Sequence, residues 1–583
     1  MKRVATIYIL LLGALLATGV YRRPGGEPAG EGPRYDPGSD PLVNPASLLA
    51  AAPEEAGRIN TEDTLHLTLR ANPNTLNPLF VSSLYDFMVA DVLYAGPFTF
   101  GRDMQWRLNE EMVESFEESA DHTEFVLRLK PGFTWQDGEP LRAQDVVYSW
   151  EQILDPEVPC PAQKLSTEPI KQCVALDDLT VKYVQPTPLA TRRWNLLFPI
   201  IPRHIFEKDK ANNADLVSGA YYNQQARRPV GSGPYRLVEW IENRQITVER
   251  WEGYAGKKPY FKTIIFRIIP DDNVALLTFE KGLVDVVDQL TSQKFVLETS
   301  SETFRQAGCK GWGVEWTYSY IGWNMDGSNP FFGDRRVRRA MTAAFNQRFI
   351  LEKISYNLAT PCRGIFHPDS WMYNPRVAPL EYDLGQAAAL LDEAGWRADE
   401  RDGWRYKVSD GRKRAFEFTL LMAQESPTAP QAAAIYQQDL RRIGVRMKTQ
   451  ACEFSALIEK LRNHEFQAEM GAWGTGTDPD TEWNLWRSDE YRGGRNYVGY
   501  SSARVDELLE LGRREFDFER RRAIYQEIQR LIYEDQPYTF LANRPTLAAF
   551  NKRIHGVQFS PRGVFNFDPS FLGWWTARAE ALP

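Results

Sequence analysis

The stretch His122–Trp150 reads HTEFVLRLKPGFTWQDGEPLRAQDVVYSW. Apolar residues occupy every second position of its segment Phe125–Leu129, which is the period of a half-buried strand. The pair Asp137-Gly138 predicts a turn, because glycine adopts a positive φ at little steric cost. Residues 145–148 then begin a helix. The stretch is therefore predicted to form a strand, a tight turn and a helix.

The same two patterns continue along the rest of the chain. Period-two alternation predicts strands at Leu65–Leu69, QITVER (245–250), AFEFTLL (415–421) and VRMKTQ (445–450). Apolar residues at helical spacing predict helices from an N-cap at Asp334 to Phe345, over Ala387–Ala394, over Ala432–Ile443 and from Ile524 to a stop at Asp535-Gln536-Pro537. Because helices and strands alternate throughout, the fold class is predicted to be α/β.

Length and charge narrow the class of protein. A chain of 583 residues is too long for one ordinary hydrophobic core, so two or three lobes are expected. Hydrophobic residues at 43% and charged residues at 25% exclude wholesale disorder and a polytopic membrane protein. The formal net charge is −8, and no Lys/Arg-rich stripe accompanies the aromatic residues. We therefore expect no nucleic-acid partner.

The N-terminus has the pattern of an export signal. Basic residues flank an uncharged run from Val4 to Tyr21. Ala17 and Gly19 have the spacing that a signal peptidase uses, yet a run of about 18 residues also approaches the roughly 20 that span a bilayer. Residues 1–21 are therefore a signal peptide or a signal anchor, and both readings fit.

The segment that follows is predicted to be a disordered linker over residues 22–59. Pro24–Gly57 is rich in Pro, Gly, Ala and Glu and lacks apolar periodicity, a composition that does not repay the entropy of ordering. No cysteine precedes Cys160, so the lipid-modified cysteine that tethers many binding proteins is absent from this region. A membrane tether would be the N-terminal helix itself.

Cysteine and histidine spacing predicts neither a metal site nor a cofactor. The five cysteines contain no CxxC pair, and the six histidines are scattered without metal-ligand spacing. In an exported protein Cys160 and Cys173 could close a short disulfide loop worth about 3 kcal/mol. The odd number of cysteines leaves at least one unpaired within the chain, and the connectivity stays open.

The stretch 122–150 resembles the signature of the family 5 extracellular solute-binding proteins, the oligopeptide- and dipeptide-binding class that serves ABC importers. Further segments resemble this family in the same order along the chain: NTLNPL (74–79), GSGPYRLVEW (231–240), GWNMDGSNPFFGDRRVRRAMTAAFN (322–346), YDLGQAAALLDEAGW (382–396), QQDLRRIGV (437–445) and YSSARVDELL (500–509). A series of this length is a strong signal, whereas any one segment alone would be weak.

The resemblance implies a class II periplasmic-binding-protein fold, with two lobes, an extra domain and a ligand cleft between the lobes. Lobe I would comprise residues 60–98, 225–315 and 541–583, the appended small domain residues 99–224, and lobe II residues 316–540. A ligand in the cleft would be enclosed when the lobes close about a hinge near residues 316–322.

The resemblance also implies a recognition segment at Gly471–Trp486. Relatives have a Trp-containing strand here whose backbone pairs with an extended ligand, which would assign that role to Ala472, Trp473 and Gly474. In those relatives an Asp three residues after the Trp binds the ligand's ammonium group, but this chain has Gly476 there. Either Asp478 or Asp480 would take over that role, the ligand would lack a free amino terminus, or the two acids would only cap the following helix.

The other predicted contacts follow from position within the resembling segments. They are Ser82, Ser83, Tyr85 and Asp86 after NTLNPL, the pair Trp323-Asn324 after the predicted hinge, and the pair Arg495-Asn496. Arg495 could hold a carboxylate through two parallel hydrogen bonds. For the aromatic residues, core packing and cleft lining are both compatible with the sequence.

Catalysis is not expected. The chain lacks a G-x-S-x-G nucleophile elbow, a P-loop and a complete dinucleotide fingerprint. Paired carboxylates and many aromatics would also suit a glycoside hydrolase, which no resemblance supports.

The expected function is that of a monomeric substrate-binding component of an ABC importer, working outside the cytoplasmic membrane and touching it only through the N-terminal segment. The ligand would be a peptide or peptide-like oligomer; an oligosaccharide, another non-peptide solute and a sensory role are the alternatives.

Overall fold

The computed structural model describes residues 35–81, 83–212, 220–409, 411–565 and 567–578. The predicted signal segment 1–21 and the predicted ligand contact Ser82 lie outside the described residues.

The strands of the described residues are β1 Thr64–Leu69, β2 Phe98–Phe100, β3 Trp106–Leu108, β4 Val113–Glu118, β5 Glu124–Leu129, β6 Gln172–Ala175, β7 Thr180–Val184, β8 Tyr235–Ile241, β9 Gln245–Arg250, β10 Thr263–Ile268, β11 Val286–Val287, β12 Gly308–Trp323, β13 Thr360–Pro361, β14 Arg397–Ala398, β15 Arg405–Ser409, β16 Arg412–Ala415, β17 Glu417–Ala423, β18 Arg446–Cys452, β19 Ala468–Gly474 and β20 Tyr538–Asn551.

The α-helices of the described residues are α1 Ala46–Leu49, α2 Leu84–Leu93, α3 Ala143–Leu154, α4 Pro161–Thr167, α5 Arg203–Asn212, α6 Ala220–Arg227, α7 Asp272–Glu280, α8 Ser292–Leu297, α9 Glu302–Ala307, α10 Arg335–Ala343, α11 Gln347–Lys353, α12 Leu384–Glu393, α13 Ala429–Arg442, α14 Phe454–Arg462, α15 Trp483–Trp486, α16 Ala503–Arg514 and α17 Phe518–Asp535. Short 3-10 helices cover Ala56–Arg58, Trp194–Leu196, Glu298–Ser300, Pro479–Glu482, Ser488–Tyr491 and Ser570–Gly573. None of the described helices is both long and apolar enough to cross a membrane.

Lobe I is built on a four-stranded sheet in the order β1-β10-β9-β8. Strand β1 runs parallel to β10, and the other neighbours are antiparallel. The core beneath this sheet joins distant parts of the chain, because Leu67 of β1 and Phe266 of β10 are buried in one cluster with Phe550 of β20 and Trp574. The C-terminal stretch of the chain therefore completes the first lobe.

The appended domain contains the strand–turn–helix stretch 122–150 and has its own hydrophobic core. Its antiparallel sheet has the order β4-β5-β7-β6. Gly138 has a φ of +96° in the turn that separates β5 from α3. Trp135 in the same turn region is fully buried against residues of the sheet and of α3. The predicted strand, turn and helix are thus confirmed.

Lobe II is built on a seven-stranded sheet whose main order is β11-β20-β12-β19-β17-β18, with β13 paired to β20. Strand β17 runs parallel to both β18 and β19. Helices α10, α12 and α13 bury their apolar faces against it in a cluster that includes Met341, Leu391 and Tyr436. The strands and helices alternate as expected for the α/β class.

Two long antiparallel strands run through both lobes. The pairing of β12 with β20 extends from Gly308 opposite Asn551 to Gly322 opposite Tyr538, with a register break between Val314 and Tyr318. The boundaries predicted at residues 316 and 541 lie inside these strands. The lobes are therefore joined at this crossing by the hydrogen-bonded backbone of β12 and β20. The domain boundaries themselves stay a prediction.

Helix ends follow the local signals of the sequence closely. The Asp334 side chain accepts the backbone N–H of Arg336 at the start of α10, as an N-cap does. Gly395 and Gly444 follow α12 and α13 with φ values of +85° and +77°. At the end of α17, Gln536 takes the left-handed conformation with a φ of +48°. The predicted strands at 65–69, 245–250, 415–421 and 445–450 are confirmed within two residues at either end.

The predicted disordered linker is wrong for residues 36–59, which pack on lobe I. Leu48 of α1 is 1% exposed and lies in the lobe I core. The Asn44 side chain donates to the Trp312 carbonyl at 2.7 Å, and the Lys310 ammonium pairs with Asp40 at 2.8 Å. A few anchoring side chains offset the ordering cost that the Pro- and Gly-rich composition suggested. Residues 22–34 lie outside the described part.

The suggested Cys160–Cys173 disulfide is absent from the structure. Both cysteines are buried and free. The Cys160 thiol donates to the Ile153 carbonyl at a sulfur–oxygen distance of 3.6 Å. Burial raises the pKa of both thiols, so each behaves as a small apolar core residue.

Arg553 is predicted to be essential to lobe I, because it joins three separate chain segments. Its guanidinium lies 2.6 Å from Asp285, 2.5 Å from Asp63 and 2.6 Å from the Thr64 carbonyl. Asp285 is 2% exposed, so the Arg553→Met variant leaves a buried carboxylate without its cation. We expect this variant to lower the free energy of unfolding by about 3 kcal/mol, measured by urea denaturation.

The matched control is Arg236→Met, which removes an arginine paired with Glu249 at the exposed surface of the same sheet. Exposed pairs contribute little, so we expect a change below about 1 kcal/mol. Equal losses in the two variants would contradict the role assigned to Arg553.

Candidate functional site

Strand β19 has an outer edge that no described strand covers. On one side β19 pairs with β12 along its whole length, from Ala468 to Gly474. On the other side β17 pairs with it only as far as Met470. Ala472 and Gly474 are exposed. We call the edge from Gly471 to Gly474 the open edge; its backbone groups are available to pair with an extended chain.

An aromatic stack holds Trp473 beside the open edge. The Trp473 indole N–H donates to the Tyr538 hydroxyl at 3.3 Å. Its ring lies parallel to that of Tyr320, with centroids 6.3 Å apart, and Tyr320 stacks on Tyr538 at 3.9 Å. Trp473 is half-buried, so part of its surface stays accessible. Its ring is thus fixed in orientation before any ligand arrives.

Two glutamates are buried beneath this stack. Glu469 and Glu482 are each 1% exposed, and burial raises the pKa of each to about 8. The Tyr320 hydroxyl donates to Glu469, and the Trp486 indole N–H donates to Glu482 at 2.7 Å. Both carboxyl groups are therefore protonated at neutral pH and add no negative charge to the site.

Asp478 is already neutralised by a cation. It forms an ion pair with Arg521 at 3.1 Å, and both side chains are about nine-tenths buried. Arg521 in turn lies over the ring of Trp371, whose indole N–H donates to the Thr477 carbonyl at 2.8 Å. The capping role considered for Asp478 stays a prediction. The side chain of Asp480 is outside the described part of the structure.

Two arginines lie close to the segment from Trp473 to Gly476. The Arg495 guanidinium lies 6.0 Å from the ring of Trp473, and Arg495 is exposed. The Arg562 Nη2 atom lies 3.8 Å from the point that a Cβ on Gly476 would occupy. Arg562 was missed from the sequence, because its turn is about 85 residues away from the Trp473 strand and carries no motif of its own.

Tyr85 lies in lobe I near a group of charged residues. It is half-buried on α2, and burial together with the nearby Asp288 carboxylate raises the pKa of its hydroxyl to about 12. Burial also raises the pKa of Asp288 to about 6, while the neighbouring Arg70 opposes this shift. Arg70 pairs with Asp272 at 2.8 Å. This charged group was not identified from the sequence, because it assembles from three separate loops.

Several predicted contacts have structural roles instead. Ser83 and Asp86 form a capping box at the start of α2, and the fully buried Asp86 also accepts the Asn74 N–H at 2.7 Å. Trp323 and Asn324 are fully buried in lobe II: the indole N–H donates to Thr539, and the amide donates to the Phe466 carbonyl. Asn496 is fully buried and bonds the carbonyls of Arg487 and Tyr500. Apart from the half-buried Ser83, these side chains are buried, and none of them belongs to the open edge.

The lobes are in contact around a gap. The Thr477 hydroxyl of lobe II donates to the Met104 carbonyl at 2.6 Å, and the Ala190 N–H of the appended domain donates to the Arg513 carbonyl at 2.7 Å. Beside Arg70, a cavity of about 490 Å³ is lined by residues of lobe I and, from lobe II, by Tyr356 and the start of α13. The structure therefore has two lobes with a cavity between them, and no residue of the open edge lines that cavity.

The fold is that of a two-lobed binding protein. Residues 107–494, more than half of the chain, match the model for bacterial extracellular solute-binding proteins, family 5 Middle. The chain belongs to this family.

Individual relatives are similar along almost the whole chain. The oligopeptide-binding protein AppA of Bacillus subtilis is 28% identical over 91% of this chain and 95% of its own length. The dipeptide-binding protein of Escherichia coli is 24% identical over 78% of this chain and 85% of its own length. The solved structure of Bacillus subtilis AppA with a nonapeptide superposes with a TM-score of 0.78 at 26% identity, covering 89% of this chain and all of that one.

Glu469 is predicted to make stability depend on pH. Its carboxyl has an ordinary pKa of 4.5 when unfolded and about 8 when folded, so the folded state retains a proton that the unfolded state releases. The free energy of unfolding should therefore fall as the pH rises between these two values. In Glu469→Gln we expect this fall to be smaller by at least about 1 kcal/mol, measured by urea denaturation across that range.

The control for this measurement is Glu117→Gln, which changes an exposed glutamate of the appended domain. In this control the free energy of unfolding should depend on pH as it does in the unaltered protein. A Glu469→Gln variant with the same slope as the control would show that Glu469 is ionised in the folded protein.

Proposed function

We propose that this protein captures a peptide outside the cytoplasmic membrane and delivers it to the membrane subunits of an ABC importer. The peptide lies extended in the interlobe gap and adds to the open edge of β19. Closure of the lobes then buries it. Binding energy from contacts made only in the closed state holds the lobes together.

The observation that carries this proposal is the open edge. A sheet edge offers alternating N–H and C=O groups, which match the backbone of any extended peptide whatever its side chains. Exposed Ala472 and Gly474 put little bulk in the way of such a chain. Trp473 is held rigid beside it and offers a wide apolar surface at low entropic cost. A sugar would use the ring of Trp473 but would leave the backbone groups of the edge unpaired.

The names of the relatives support the same ligand class. AppA of Bacillus subtilis is named an oligopeptide-binding protein, and its solved structure contains a nonapeptide. We assign Tyr85 and Arg495 to the walls that contact the peptide, together with Ala472, Trp473 and Gly474. No cofactor takes part in this capture.

For location and partners we propose a monomer at the outer face of the cytoplasmic membrane. The uncharged run Val4–Tyr21 between basic residues supports export, and it would supply the membrane contact if it is retained. The importer's permease subunits would receive the closed form, because closure changes the relative positions of the two lobes.

Trp473→Ala tests the peptide-binding proposal. We expect at least about a tenfold loss in the amount of peptide captured from a tryptic digest of casein, measured by native mass spectrometry, because the ring supplies most of the apolar contact at the open edge. The matched control is Trp404→Ala, which removes a half-buried tryptophan beside β15 in the small three-stranded sheet. The control should capture peptides normally.

Equal capture by the two tryptophan variants would contradict the assignment of Trp473. Thermal melting with the same digest and with a mixture of maltooligosaccharides separates the ligand classes, because a ligand that binds the native state raises the melting temperature. A rise with the sugars and none with the digest would contradict the peptide proposal.

A further inference from the structure

A tight turn carries Arg562 toward the open edge. The backbone N–H groups of Ser560 and Gly563 each donate to the other residue's carbonyl, at 2.9 and 3.0 Å. The Arg562 N–H donates to the Ser560 hydroxyl at 3.0 Å. Gly563 has a φ of +83°, a conformation that glycine adopts without strain. Arg562 therefore extends from a turn whose backbone is closed by its own hydrogen bonds.

Trp316 holds this turn against the segment that follows β19. Its backbone N–H donates to the Pro561 carbonyl at 2.7 Å, and its carbonyl accepts the Thr475 N–H at 2.7 Å. Trp316 thus forms hydrogen bonds with Pro561, the neighbour of Arg562, and with Thr475, the neighbour of Gly476. We call the surface formed by Gly476, Trp316 and Arg562 the arginine recess. A Cβ atom on Gly476 would lie 3.1 Å from the Asp478 carbonyl oxygen and 3.8 Å from the Arg562 Nη2 atom.

The guanidinium of Arg562 is not neutralised within the described residues. No described carboxylate lies within ion-pair distance of it. Glu315 is the carboxylate whose charge acts on it, but Glu315 accepts hydrogen bonds from the Thr317 and Thr546 hydroxyls at 2.7 and 3.2 Å. Arg562 keeps exposed surface, yet burial by surrounding protein lowers its pKa. Arg562 is therefore a solvent-accessible cation that makes no ion pair with the described residues.

Two acids whose side chains are described follow Gly476 closely in the sequence. Asp478 is paired with Arg521, and Glu482 is held protonated by burial. Arg495 adds a second cation on the face of Trp473. A cationic end of a cleft attracts an anionic group and repels an ammonium group.

We propose that the arginine recess binds a carboxylate of the ligand, with the Arg562 guanidinium as the donor. Guanidinium and carboxylate match in geometry, because two parallel N–H groups meet two oxygens. This inference rests on the proposed function and adds that the peptide must present an acid at this end. The acid is either the C-terminal carboxylate or an acidic side chain, and the experiment below distinguishes these two sources.

The test uses a tryptic digest of casein in three forms: untreated, with all amines acetylated, and with all carboxyl groups methyl-esterified. Captured peptides are identified and quantified by native mass spectrometry. We expect the unaltered protein to capture the untreated and acetylated digests alike, and the esterified digest at least about tenfold less. Arg562→Gln should lose this discrimination. Arg412→Gln, which changes an exposed arginine of β16, should keep it.

The identities of the captured peptides reveal the source of the acid. Capture of peptides without Asp or Glu assigns the recess to the C-terminal carboxylate, and strong enrichment of Asp or Glu assigns it to a side chain. Equal capture of all three digests, unchanged in Arg562→Gln, would overturn the carboxylate site and leave the peptide proposal intact. Capture of nothing from any digest would overturn the peptide proposal and this inference together.

Discussion

The antiparallel pairing of β12 with β20 is the constraint on which the rest of the structure depends. These strands run from the core of lobe I into the core of lobe II, and their register shifts at two places, between Val314 and Tyr318 and between Ser319 and Tyr320. Paired backbone resists shear but bends where the ladder is interrupted. The first of the two breaks includes Glu315 and Trp316 and overlaps the hinge that is predicted near residues 316–322.

The candidate site follows directly from this crossing. Strand β19 is placed by its pairing with the lobe II half of β12, so the open edge begins where β17 stops. Trp316, in the register break, bonds the residues beside Gly476 and Arg562. The ring of Trp473, the free backbone groups of the open edge and the Arg562 guanidinium are thus all positioned by the short segment around Trp316. Rotation at the break would move the lobe I wall, including Tyr85, relative to the open edge.

Local signals in the sequence were sufficient for most elements but not for the roles of single side chains. The N-cap at Asp334 and the glycine after α12 are decided within a few residues, so their prediction succeeded. Trp323 was assigned to the cleft by its position, with core packing as the alternative, and the structure buries it in lobe II. Arg562 and Asp288 could not be found from spacing, since folding alone brings their loops to the cleft. The composition likewise did not indicate that Leu48 would be buried in the lobe I core.

The central claim is that a ligand's backbone pairs with the open edge of β19. Amide hydrogen exchange over Gly471–Gly474, followed with and without a casein digest, measures this pairing directly, because a hydrogen-bonded amide exchanges slowly. We expect the amide hydrogens of this segment to exchange at least about tenfold more slowly when peptide is bound. Unchanged exchange at the edge, with peptide bound to the protein, would contradict it.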